Sequence, residues 1–196
     1  MPDHPLQFPF KRGLDILISL FLLLLIMPLF AVLALLIRRD SRGPIFYRQI
    51  RVGRGGRPFL LVKFRTMIQD AETDGPIWSR RDDPRVTRVG GWLRRTGLDE
   101  LPQLYNILMG DMSLVGPRPE RPAFVEQFER EISGYAGRHR MRPGITGWAQ
   151  VNGLRGDTSV PERTRYDLEY IQRWSLWFDL KILLLTPFTV ELKDRP

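Results

Sequence analysis

A long apolar stretch near the N-terminus sets the first limit on what this chain can fold into. Residues 16–37 read ILISLFLLLLIMPLFAVLALLI, and Ser19 and Pro28 are its interruptions. As a straight helix, roughly 22 residues reach about 33 Å, which matches the hydrocarbon core of a bilayer. A cleavable signal peptide has a shorter apolar region followed by small residues, whereas Arg38 and Arg39 follow here. The segment therefore predicts a membrane anchor.

The flanks and the middle of this segment bear on how it enters the membrane. Basic residues stand on both sides: Lys11, Arg12, Arg38, Arg39 and Arg42. The positive-inside rule therefore gives no preferred direction of crossing. Pro28 removes an intrahelical hydrogen bond near the middle and predicts a bend, so the helix can enter and leave by one face. We expect a re-entrant anchor over residues 1–43 with both ends on the cytoplasmic side; an ordinary kinked span is the alternative.

Composition narrows the partners and the chemistry. The formal charge of +8 indicates an anionic partner, which can be nucleic acid, acidic lipid headgroups or a phosphorylated small molecule. The chain has no cysteine and two histidines, which excludes disulfides and thiolate catalysis and argues against a histidine-rich zinc site. With 196 residues, 43% of them hydrophobic, the chain can form one globular domain beyond the anchor.

A β-hairpin is predicted directly after the anchor. Residues 45–53 and 57–67 are rich in β-branched and aromatic side chains. The short connection Arg54-Gly55-Gly56 suits a tight turn between them. The first sheet is therefore expected beside the membrane.

Helices and an ordered loop are predicted for the middle of the chain. Asp83-Pro84 is a helix-start signal, and a second helix is predicted up to Gly110, with Asp99 as its cap. A third is predicted over residues 119–133. The glycine-rich residues 134–160 are too aromatic and apolar for a disordered linker, so they are predicted to form an ordered loop.

The C-terminal part combines aromatic and basic residues at helical spacing. Four aromatic residues fall within one arc of a predicted helix: Tyr170, Trp174, Trp177 and Phe178. This composition is typical of an amphipathic helix at a membrane interface, and packing into the protein core is an equal alternative. The apolar run 182–190 contains Pro187 and is too short for a second span.

Two adjacent carboxylates, Asp99 and Glu100, stand among basic residues. A carboxylate can attack phosphorus as a nucleophile, provided that cations screen the negative charge of the electrophile. Such cations occur on both sides along the chain: Lys63, Arg65, Arg94, Arg95, Arg118 and Arg121. Guanidinium groups bind phosphate oxygens through paired hydrogen bonds, and Mg²⁺ takes one or two carboxylates together with substrate phosphates. The pattern permits phosphoryl transfer, although a helix cap also accounts for Asp99.

These residues belong to a longer pattern that resembles the bacterial sugar transferases, the monotopic polyprenyl-phosphate phosphoglycosyl transferases. The matching stretches follow the Pro28 anchor in order: GPIFYRQIRVGRGGRPFLLVKFRTM, TRVGGWLRRTGLDELPQLYNILMGDMSLVGPRP, RPGITGWAQVNGLRG and DLEYIQRWSLWFDLKILLLT. They cover nearly the whole chain. The chain departs from the pattern at Met27-Pro28, where some small members carry Ser-Pro. The multi-span N-terminal region of the longest members has no counterpart, so the short form is expected.

The resemblance implies a reaction and a location. It implies transfer of a sugar 1-phosphate from a UDP-sugar to undecaprenyl phosphate, with release of UMP, as the first membrane step of glycoconjugate assembly. The expected place is the bacterial inner membrane, with the catalytic domain on its cytoplasmic face. The expected cofactor is Mg²⁺, and no nucleic acid takes part.

The resemblance also implies roles for individual residues. Asp99 is expected to be the nucleophile that forms a covalent phosphosugar intermediate, and Glu100 to be its partner, with both near Mg²⁺ on the substrate diphosphate. Further residues are expected to bind substrate: Lys63, Arg65, Arg94, Arg118, Pro119, Arg142 and Gln150. Arg142 and Gln150 belong to RPGITGWAQVNG, which is expected only to lie near the substrate.

The expected architecture is thus an α+β fold. A Pro-kinked re-entrant membrane helix over residues 1–43 precedes a small, mostly helical cytosolic catalytic domain over residues 44–196, with a β-hairpin and interfacial amphipathic helices. Two other functions stay open. One is a non-enzymatic module whose basic face binds anionic lipid or RNA beside the membrane. The other is a single-step transferase in which Glu100 acts as a general base and no covalent species forms.

Overall fold

The computed structural model describes residues 7–71 and 83–190 as a mixed helix-and-strand architecture. A long N-terminal helix packs on a domain of shorter helices with two small two-stranded sheets. The expected combination of helices and strands behind a long apolar N-terminal helix is thereby confirmed. The outer ends of the two expected segments, 1–6 and 191–196, lie outside the described residues.

Helix α1 (Gln7–Asp40) is the expected anchor and contains Pro28. Only 11% of its most apolar stretch is buried within the protein, so it is not the core helix of a globular domain. Its length and composition allow it to cross a membrane. A bend at Pro28 stays a prediction, as does the re-entrant path.

The N-terminal half of α1 joins the domain through buried polar side chains. Lys11 donates to Asp179 (2.6 Å) and to the carbonyl oxygen of Val115 (3.1 Å). One helical turn later, the Asp15 carboxylate accepts from the backbone N–H of Leu114 (3.0 Å). Because a buried charge is costly unless it is paired, these contacts fix the helix in one register on the domain.

The C-terminal half of α1 joins the same domain through apolar packing. Leu33 and Ile37 are buried against Phe64 and Leu93. Along a straight helix, residues 11 and 37 lie about 39 Å apart, so contacts to one domain extend over most of its length. The backbone just beyond the helix is held as well, because Arg65 donates to the carbonyl oxygen of Ser41 (2.6 Å).

Strands β1 (Phe46–Val52) and β2 (Pro58–Phe64) form the expected antiparallel hairpin, which is confirmed. The connection is a short 3₁₀ turn, Arg54–Gly56, and positive φ angles of 68° and 75° at Gly55 and Gly56 explain why glycine stands there. Side chains alternate between the two faces of the hairpin. One face carries Tyr47, Gln49, Arg51 and Lys63, and the other carries Phe46, Arg48, Ile50, Leu60 and Val62.

Two short helices lie on either side of the carboxylate pair. Helix α2 (Arg88–Thr96) starts later than Asp83-Pro84 suggested, because the Thr87 hydroxyl caps it by accepting from the N–H of Gly90 (3.0 Å). Helix α3 (Gln103–Met109) ends at Gly110 as expected, with φ 94°. The prediction that Asp99 caps this helix was wrong. The N-cap of α3 is Pro102, and Asp99 lies in a separate 3₁₀ turn, Leu98–Glu100.

The middle of the chain is more structured than its glycine content suggested. Strands β3 (Ser113–Val115) and β4 (Gly144–Thr146) pair in parallel. Helix α4 (Pro122–Glu131) starts three residues later than expected. A 3₁₀ segment over Tyr135–Arg140 and helix α5 (Trp148–Val151) replace part of the expected loop.

The C-terminal part forms two helices, α6 (Val160–Gln172) and α7 (Leu176–Val190). The prediction that four aromatic residues share one arc of a single helix was wrong. The Ser175 hydroxyl accepts from the N–H of Phe178 (3.1 Å), and a new helix begins there. Tyr170 and Trp174 are buried in the core, whereas Trp177 is 77% exposed. Core packing therefore accounts for Tyr170 and Trp174, whereas Trp177 lies on an exposed apolar surface.

Candidate active site

The carboxylate pair lies in a tight turn between two helices. Gly97 ends α2 in the left-handed conformation (φ 73°), and the 3₁₀ turn Leu98–Glu100 follows at once. Asp99 is 6% exposed, whereas Glu100 is half-buried. The turn contacts strand β2, which carries Lys63. The local chain path therefore holds one carboxylate inside the protein and its neighbour at the surface of the site.

Arg118 binds Glu100 through both of its terminal nitrogens. The two hydrogen bonds to the carboxylate oxygens measure 2.6 Å and 3.2 Å. The negative charge of Glu100 raises the pKa of Arg118 above its usual value. This paired geometry is the one with which guanidinium groups also bind phosphate. Arg118 is therefore a permanent cation fixed beside the carboxylate pair.

The backbone around Arg118 is held by other arginines. The buried Arg138 donates to the carbonyl oxygen of Arg118 (2.8 Å) and to Asp167 (2.7 Å). Arg51 donates to the carbonyl oxygen of Pro119 (3.0 Å). These contacts fix the Pro-Arg-Pro segment from two sides, so Arg118 keeps its orientation without substrate.

Lys63 lies on β2 close to the carboxylate pair. Burial lowers its pKa to about 8, and the neighbouring Asp99 opposes that shift while Arg94 adds to it. Its ammonium group lies 5.3 Å from the centre of the Tyr47 ring. Lys63 is therefore a cation whose charge changes near neutral pH, unlike that of the arginines around it.

A cavity of about 600 Å³ in front of the hairpin is lined by basic side chains. Four residues expected from the sequence line it: Lys63, Arg65, Arg94 and Arg118. Arg94 is oriented by the hydroxyl of Thr66 (2.8 Å). The volume lies within the range of small-molecule sites, and the charge suits a ligand with several negative charges.

Arg51, Arg163 and Phe124 also line this cavity and were missed by sequence reasoning. Arg51 alternates with Tyr47 and Gln49 along β1, and that period-2 pattern was the signal that could have placed it on the face of Lys63. Arg163 and Phe124 lie far from the carboxylates in sequence, and no local pattern marks them. Burial lowers the pKa of Arg51 to about 10.

The structure places Arg142 and Gln150 away from the lining of this cavity. Arg142 donates to the carbonyl oxygen of Gly110 (2.9 Å), and Gln150, 2% exposed, donates to that of Ile145 (2.7 Å). Arg65 lines the cavity, but its terminal nitrogens bind backbone oxygens of residues 41 and 42. Direct binding of substrate by these three residues stays a prediction.

The glycines of GPRP and RPGITGW explain why these two motifs occur together. A Cβ on Gly116 would overlap the carbonyl oxygen of Arg142, and one on Gly144 would overlap the backbone nitrogen of Gly116. The parallel pairing of β3 with β4 requires this close approach. The second motif therefore supports the segment that carries Arg118.

Comparison with known proteins settles the family. A model of the family described as bacterial sugar transferase matches residues 6–193. The chain belongs to the bacterial sugar transferase family. The resemblance found in the sequence motifs is confirmed.

Three relatives illustrate the range of this bacterial sugar transferase family. A UDP-glucose:undecaprenyl-phosphate glucose-1-phosphate transferase of Escherichia coli is 50% identical over 91% of this chain and 39% of its own length. One of the same name in Caulobacter vibrioides is 50% identical over 90% of this chain and 67% of its own length. A third relative, from Aeromonas hydrophila, is a UDP-N-acetylgalactosamine-undecaprenyl-phosphate N-acetylgalactosaminephosphotransferase. It is 46% identical over 95% of this chain and 44% of its own length. The chain thus spans about two fifths of the length of the first and third.

The fit of a magnesium ion to this bacterial sugar transferase rests on the carboxylate pair. Within residues 7–71 and 83–190, no group of three or more histidine, cysteine, aspartate or glutamate side chains is placed to hold a metal. Mg²⁺ keeps several waters and needs only one or two carboxylates when substrate phosphates supply the other ligands. The carboxylates of Asp99 and Glu100 meet that number, and because both oxygens of Glu100 already accept from Arg118, Asp99 is the better placed of the two to hold the ion together with substrate phosphates.

Proposed function

We propose that this chain transfers a sugar 1-phosphate from a UDP-sugar to undecaprenyl phosphate and releases UMP. The observation that carries the proposal is the buried Asp99 beside Glu100, which Arg118 holds bidentately next to a cavity lined with cations. The names of the relatives supply the donor and acceptor classes. They differ in the sugar, so glucose and N-acetylgalactosamine are both candidates.

The proposed reaction has two steps at one phosphorus atom. In the first, a carboxylate oxygen of Asp99 attacks the sugar-bearing phosphorus, the bond to the bridging oxygen breaks, and UMP leaves with that electron pair. In the second, a phosphate oxygen of the acceptor attacks the same phosphorus and breaks its bond to Asp99. The product is a polyprenyl diphosphosugar, and Asp99 is a free carboxylate again.

The cations around Asp99 make this attack feasible. An anionic nucleophile and a diphosphate repel each other strongly in a site shielded from water. Arg118, Arg94 and Lys63 lie where they can neutralise the diphosphate before attack. A magnesium ion held by Asp99, Glu100 and the substrate phosphates would add further neutralisation of the leaving phosphate. The protein supplies the fixed positive field, and the diphosphate supplies the leaving group.

Glu100 has a supporting role in this proposal. Its carboxylate fixes the Arg118 guanidinium, so it positions the cation as well as contributing charge. A single-step reaction with Glu100 as general base is the competing mechanism. The bidentate contact to Arg118 disfavours it, because a carboxylate held by a guanidinium is a weaker proton acceptor.

The membrane path of α1 supports a site at the headgroup level. Contacts at Lys11 and at Ile37 reach one and the same domain, which a straight crossing between two sides of a bilayer does not allow. We therefore propose that α1 is re-entrant and that both its ends, and the catalytic domain, lie on the cytoplasmic face. A polyprenyl phosphate presents its charge at that level.

The proposed function is tested by UMP release from a panel of UDP-sugars, with and without undecaprenyl phosphate and Mg²⁺. We expect sustained release from at least one donor when both are present, and loss of it after chelation of Mg²⁺. In the absence of acceptor, a single turnover of UMP per protein is expected. Failure of every UDP-sugar to release UMP would overturn the proposal.

The membrane path is tested by cysteine labelling, for which this chain offers a cysteine-free background. We expect a membrane-impermeant maleimide to label Asp3→Cys and Arg42→Cys from the same side of sealed vesicles, because a re-entrant helix returns both flanks to one face. The readout is labelling before and after permeabilisation. Labelling from opposite sides would show an ordinary span.

The lowered pKa of Lys63 predicts that activity falls on the basic side of its pH profile. With a pKa of about 8 in the free enzyme, its charge is lost above that pH, so kcat/KM for the UDP-sugar falls there. Bound diphosphate favours the charged form, so the limb in kcat lies at higher pH. Stability moves the other way: between about pH 8 and 10.4 the unfolded chain binds more protons at this site, so its contribution to stability rises with pH.

The matched variant for this profile is Lys63→Arg. An arginine keeps its charge throughout the measured range, so we expect the basic limb of kcat/KM to move to higher pH. Arg57→Lys is the control. Arg57 is exposed beside the hairpin turn, so this substitution should leave the pH profile unchanged. An identical basic limb in Lys63→Arg would assign the titration to another group.

A further inference from the structure

A buried carboxylate lines the cavity of the candidate active site and has no part in the proposed reaction. Glu120 is 6% exposed and lines this cavity together with Arg51 and Arg163. Arg163 donates to one of its carboxylate oxygens (3.1 Å), and Nη1 of Arg51 approaches the other at 3.5 Å. A carboxylate repels a diphosphate, so phosphate binding does not explain its position. Either Glu120 only holds the two arginines, or it contacts another part of the ligand.

Comparison with a second buried ion pair favours contact with a ligand. Asp167 and Arg138 are joined at 2.7 Å, and their side chains are 3% and 4% exposed. Neither residue lines the cavity, so this pair holds its charges inside the protein. Glu120 and both of its arginine partners, in contrast, border the cavity. A carboxylate has about four lone-pair positions, so Glu120 can accept from a ligand hydroxyl in addition to the two arginines.

Glu120 lies close to the carboxylate pair. It is two residues beyond Arg118, whose guanidinium binds Glu100 through both terminal nitrogens. The negative charges of Glu100, Glu120 and Asp99 each raise the pKa of Arg118, so one guanidinium is near all three carboxylates. A group that is bonded directly to a phosphate held by Arg118 therefore comes close to Glu120.

The two ends of the hairpin face give the cavity two different parts. Arg51 lies four residues along β1 from the residue paired with Lys63, a distance of about 13 Å at the usual rise of a strand. The part around Lys63 supplies cations to the diphosphate. The part around Arg51 combines Glu120 with the half-buried ring of Phe124, which packs in the cluster of Val52. A hydrogen-bond acceptor beside an apolar ring suits a sugar, which carries both hydroxyl groups and C–H faces.

We propose that Glu120 binds hydroxyl groups of the donor's sugar and thereby selects the sugar that is transferred. The inference rests on the proposed function, because the sugar belongs to that donor. The sugar is bonded to the reacting phosphorus, whereas the ribose, the other source of hydroxyl groups, is separated from it by a second phosphate. Glu120 is two residues from Arg118 and is therefore better placed for the sugar. Relatives whose names carry glucose and N-acetylgalactosamine are 50% and 46% identical to this chain, so different sugars accompany nearly equal similarity.

The first test combines a protein variant with donors that lack one hydroxyl. Analogues of the UDP-sugar that the parent uses best, each deoxygenated at one sugar hydroxyl, are compared by kcat/KM for UMP release. The parent should lose about 10- to 100-fold for at least one analogue, the range of a hydrogen bond to a charged group. In Glu120→Gln the same deletion should cost several-fold less, because the charged acceptor is already absent. A purely structural role would lower kcat/KM equally for all donors, and equal penalties in parent and variant for every analogue would overturn the proposal.

Glu126→Gln is the matched control, because Glu126 is an exposed carboxylate on α4 outside the lining of the cavity. It should keep the parent's preference among the donors. Removal of the Glu120 charge leaves two arginines without their partner, so the thermal midpoint of every variant is compared with that of the parent. Glu120→Asp is the second variant, since it keeps the charge while its shorter side chain withdraws the acceptor from the sugar. If Glu120→Gln does not fold, a parental donor preference in Glu120→Asp would overturn the proposal.

Inhibition by UMP separates the sugar from the ribose. UMP carries the ribose and one phosphate but no hexose, so it should inhibit Glu120→Gln no more weakly than the parent. Inhibition weakened by the same factor as use of the best donor would assign Glu120 to the ribose and sink the proposal. Release of UMP by the parent tests the proposed function separately. No release from any donor would remove that function and this inference together, whereas release with an unchanged donor preference in Glu120→Gln would remove the inference alone.

Discussion

Replacement of Asp99 by asparagine is expected to abolish sugar-phosphate transfer, with kcat reduced at least ~10³-fold, because the amide is no nucleophile towards phosphorus. Asparagine has nearly the same shape and is tolerated where Asp99 is 6% exposed, so the loss should come without unfolding. The measurement is UMP release in the presence of undecaprenyl phosphate and Mg²⁺. Glu126→Gln, an exposed carboxylate on α4, is the control and should retain the parent rate.

Mass spectrometry of the same variants identifies the mechanism. Parent protein quenched after exposure to its UDP-sugar without acceptor should carry the mass of one sugar phosphate, located on the peptide that contains Asp99. Asp99→Asn and Asp99→Ala should carry none. A single-step reaction with Glu100 as base predicts no adduct in any variant and turnover that depends on a ternary complex. An unmodified parent with full turnover would therefore end the covalent mechanism, even if Asp99 proved essential.

The buried location of Asp99 gives this prediction its physical basis. A capping role would have explained the residue without any chemistry, but α3 begins at Gln103 behind Pro102, and the Asp99 side chain is not its cap. Its neighbours include Lys63, whose pKa it raises against the effect of burial. Asp99 is thus a buried carboxylate close to Lys63, and its neighbour Glu100 binds Arg118; both of these cations line the cavity. Phosphoryl transfer requires such charge compensation, and a surface-binding module does not.

Local patterns were sufficient for the hairpin and for the ends of some helices. The alternation along β1 and β2 and the glycines of Arg54-Gly55-Gly56 predicted the sheet because both signals act over a few residues. The same holds for Gly110 at the end of α3. The start of α2 was predicted too early. Asp83-Pro84 is the stronger helix-start signal in the sequence, but the residue that caps α2 in the structure is Thr87. Asp83 instead pairs with Arg85 (2.6 Å), which lowers its pKa to about 2.

Long-range contacts explain what the sequence did not reveal. The expectation that the glycine-rich motif 142–153 lies near the substrate stays a prediction. The structure adds what the sequence did not show: its glycines allow β4 to approach β3, and its arginine binds the end of α3. Arg138 and Arg51 hold the backbone of Arg118 and Pro119 from positions 20 and 68 residues away. No pattern in a single sequence pairs such residues, because the contact depends on how distant elements pack.

The sequence predicted two cations of the site but not the difference between them. The motif pattern placed Arg118 and Lys63 near phosphate, and the structure brings both to one cavity. The structure adds that Arg118 is fixed by Glu100 and by a contact to its backbone, whereas burial lowers the pKa of the half-buried Lys63 to about 8. Positive charge is thus supplied in two forms, one permanent and one dependent on pH.

Replacement of Arg118 by alanine is expected to lower kcat/KM for the UDP-sugar by about 10²–10³-fold, roughly 3–4 kcal/mol of transition-state stabilisation. The variant removes the guanidinium that binds Glu100 and, with it, two hydrogen bonds to that carboxylate. Glu100 then loses the charge compensation that Arg118 provides, so its repulsion of the incoming diphosphate increases. The effect should appear in kcat and in KM, because the guanidinium acts on bound substrate and on the charge that develops on the leaving phosphate.

Arg118→Lys separates charge from geometry. An ammonium group keeps the charge but cannot make the paired contact, so we expect a loss of only about tenfold, smaller than that of Arg118→Ala. Arg130→Ala, in the last turn of α4 and exposed, is the control for a general loss of positive charge. Added guanidinium ion should restore part of the activity of Arg118→Ala and none to Asp99→Asn. If Arg118→Ala retained parent values of both kcat and KM, the bidentate contact to Glu100 would be structural, and the phosphate-binding cation would have to be sought in Arg94 or Lys63.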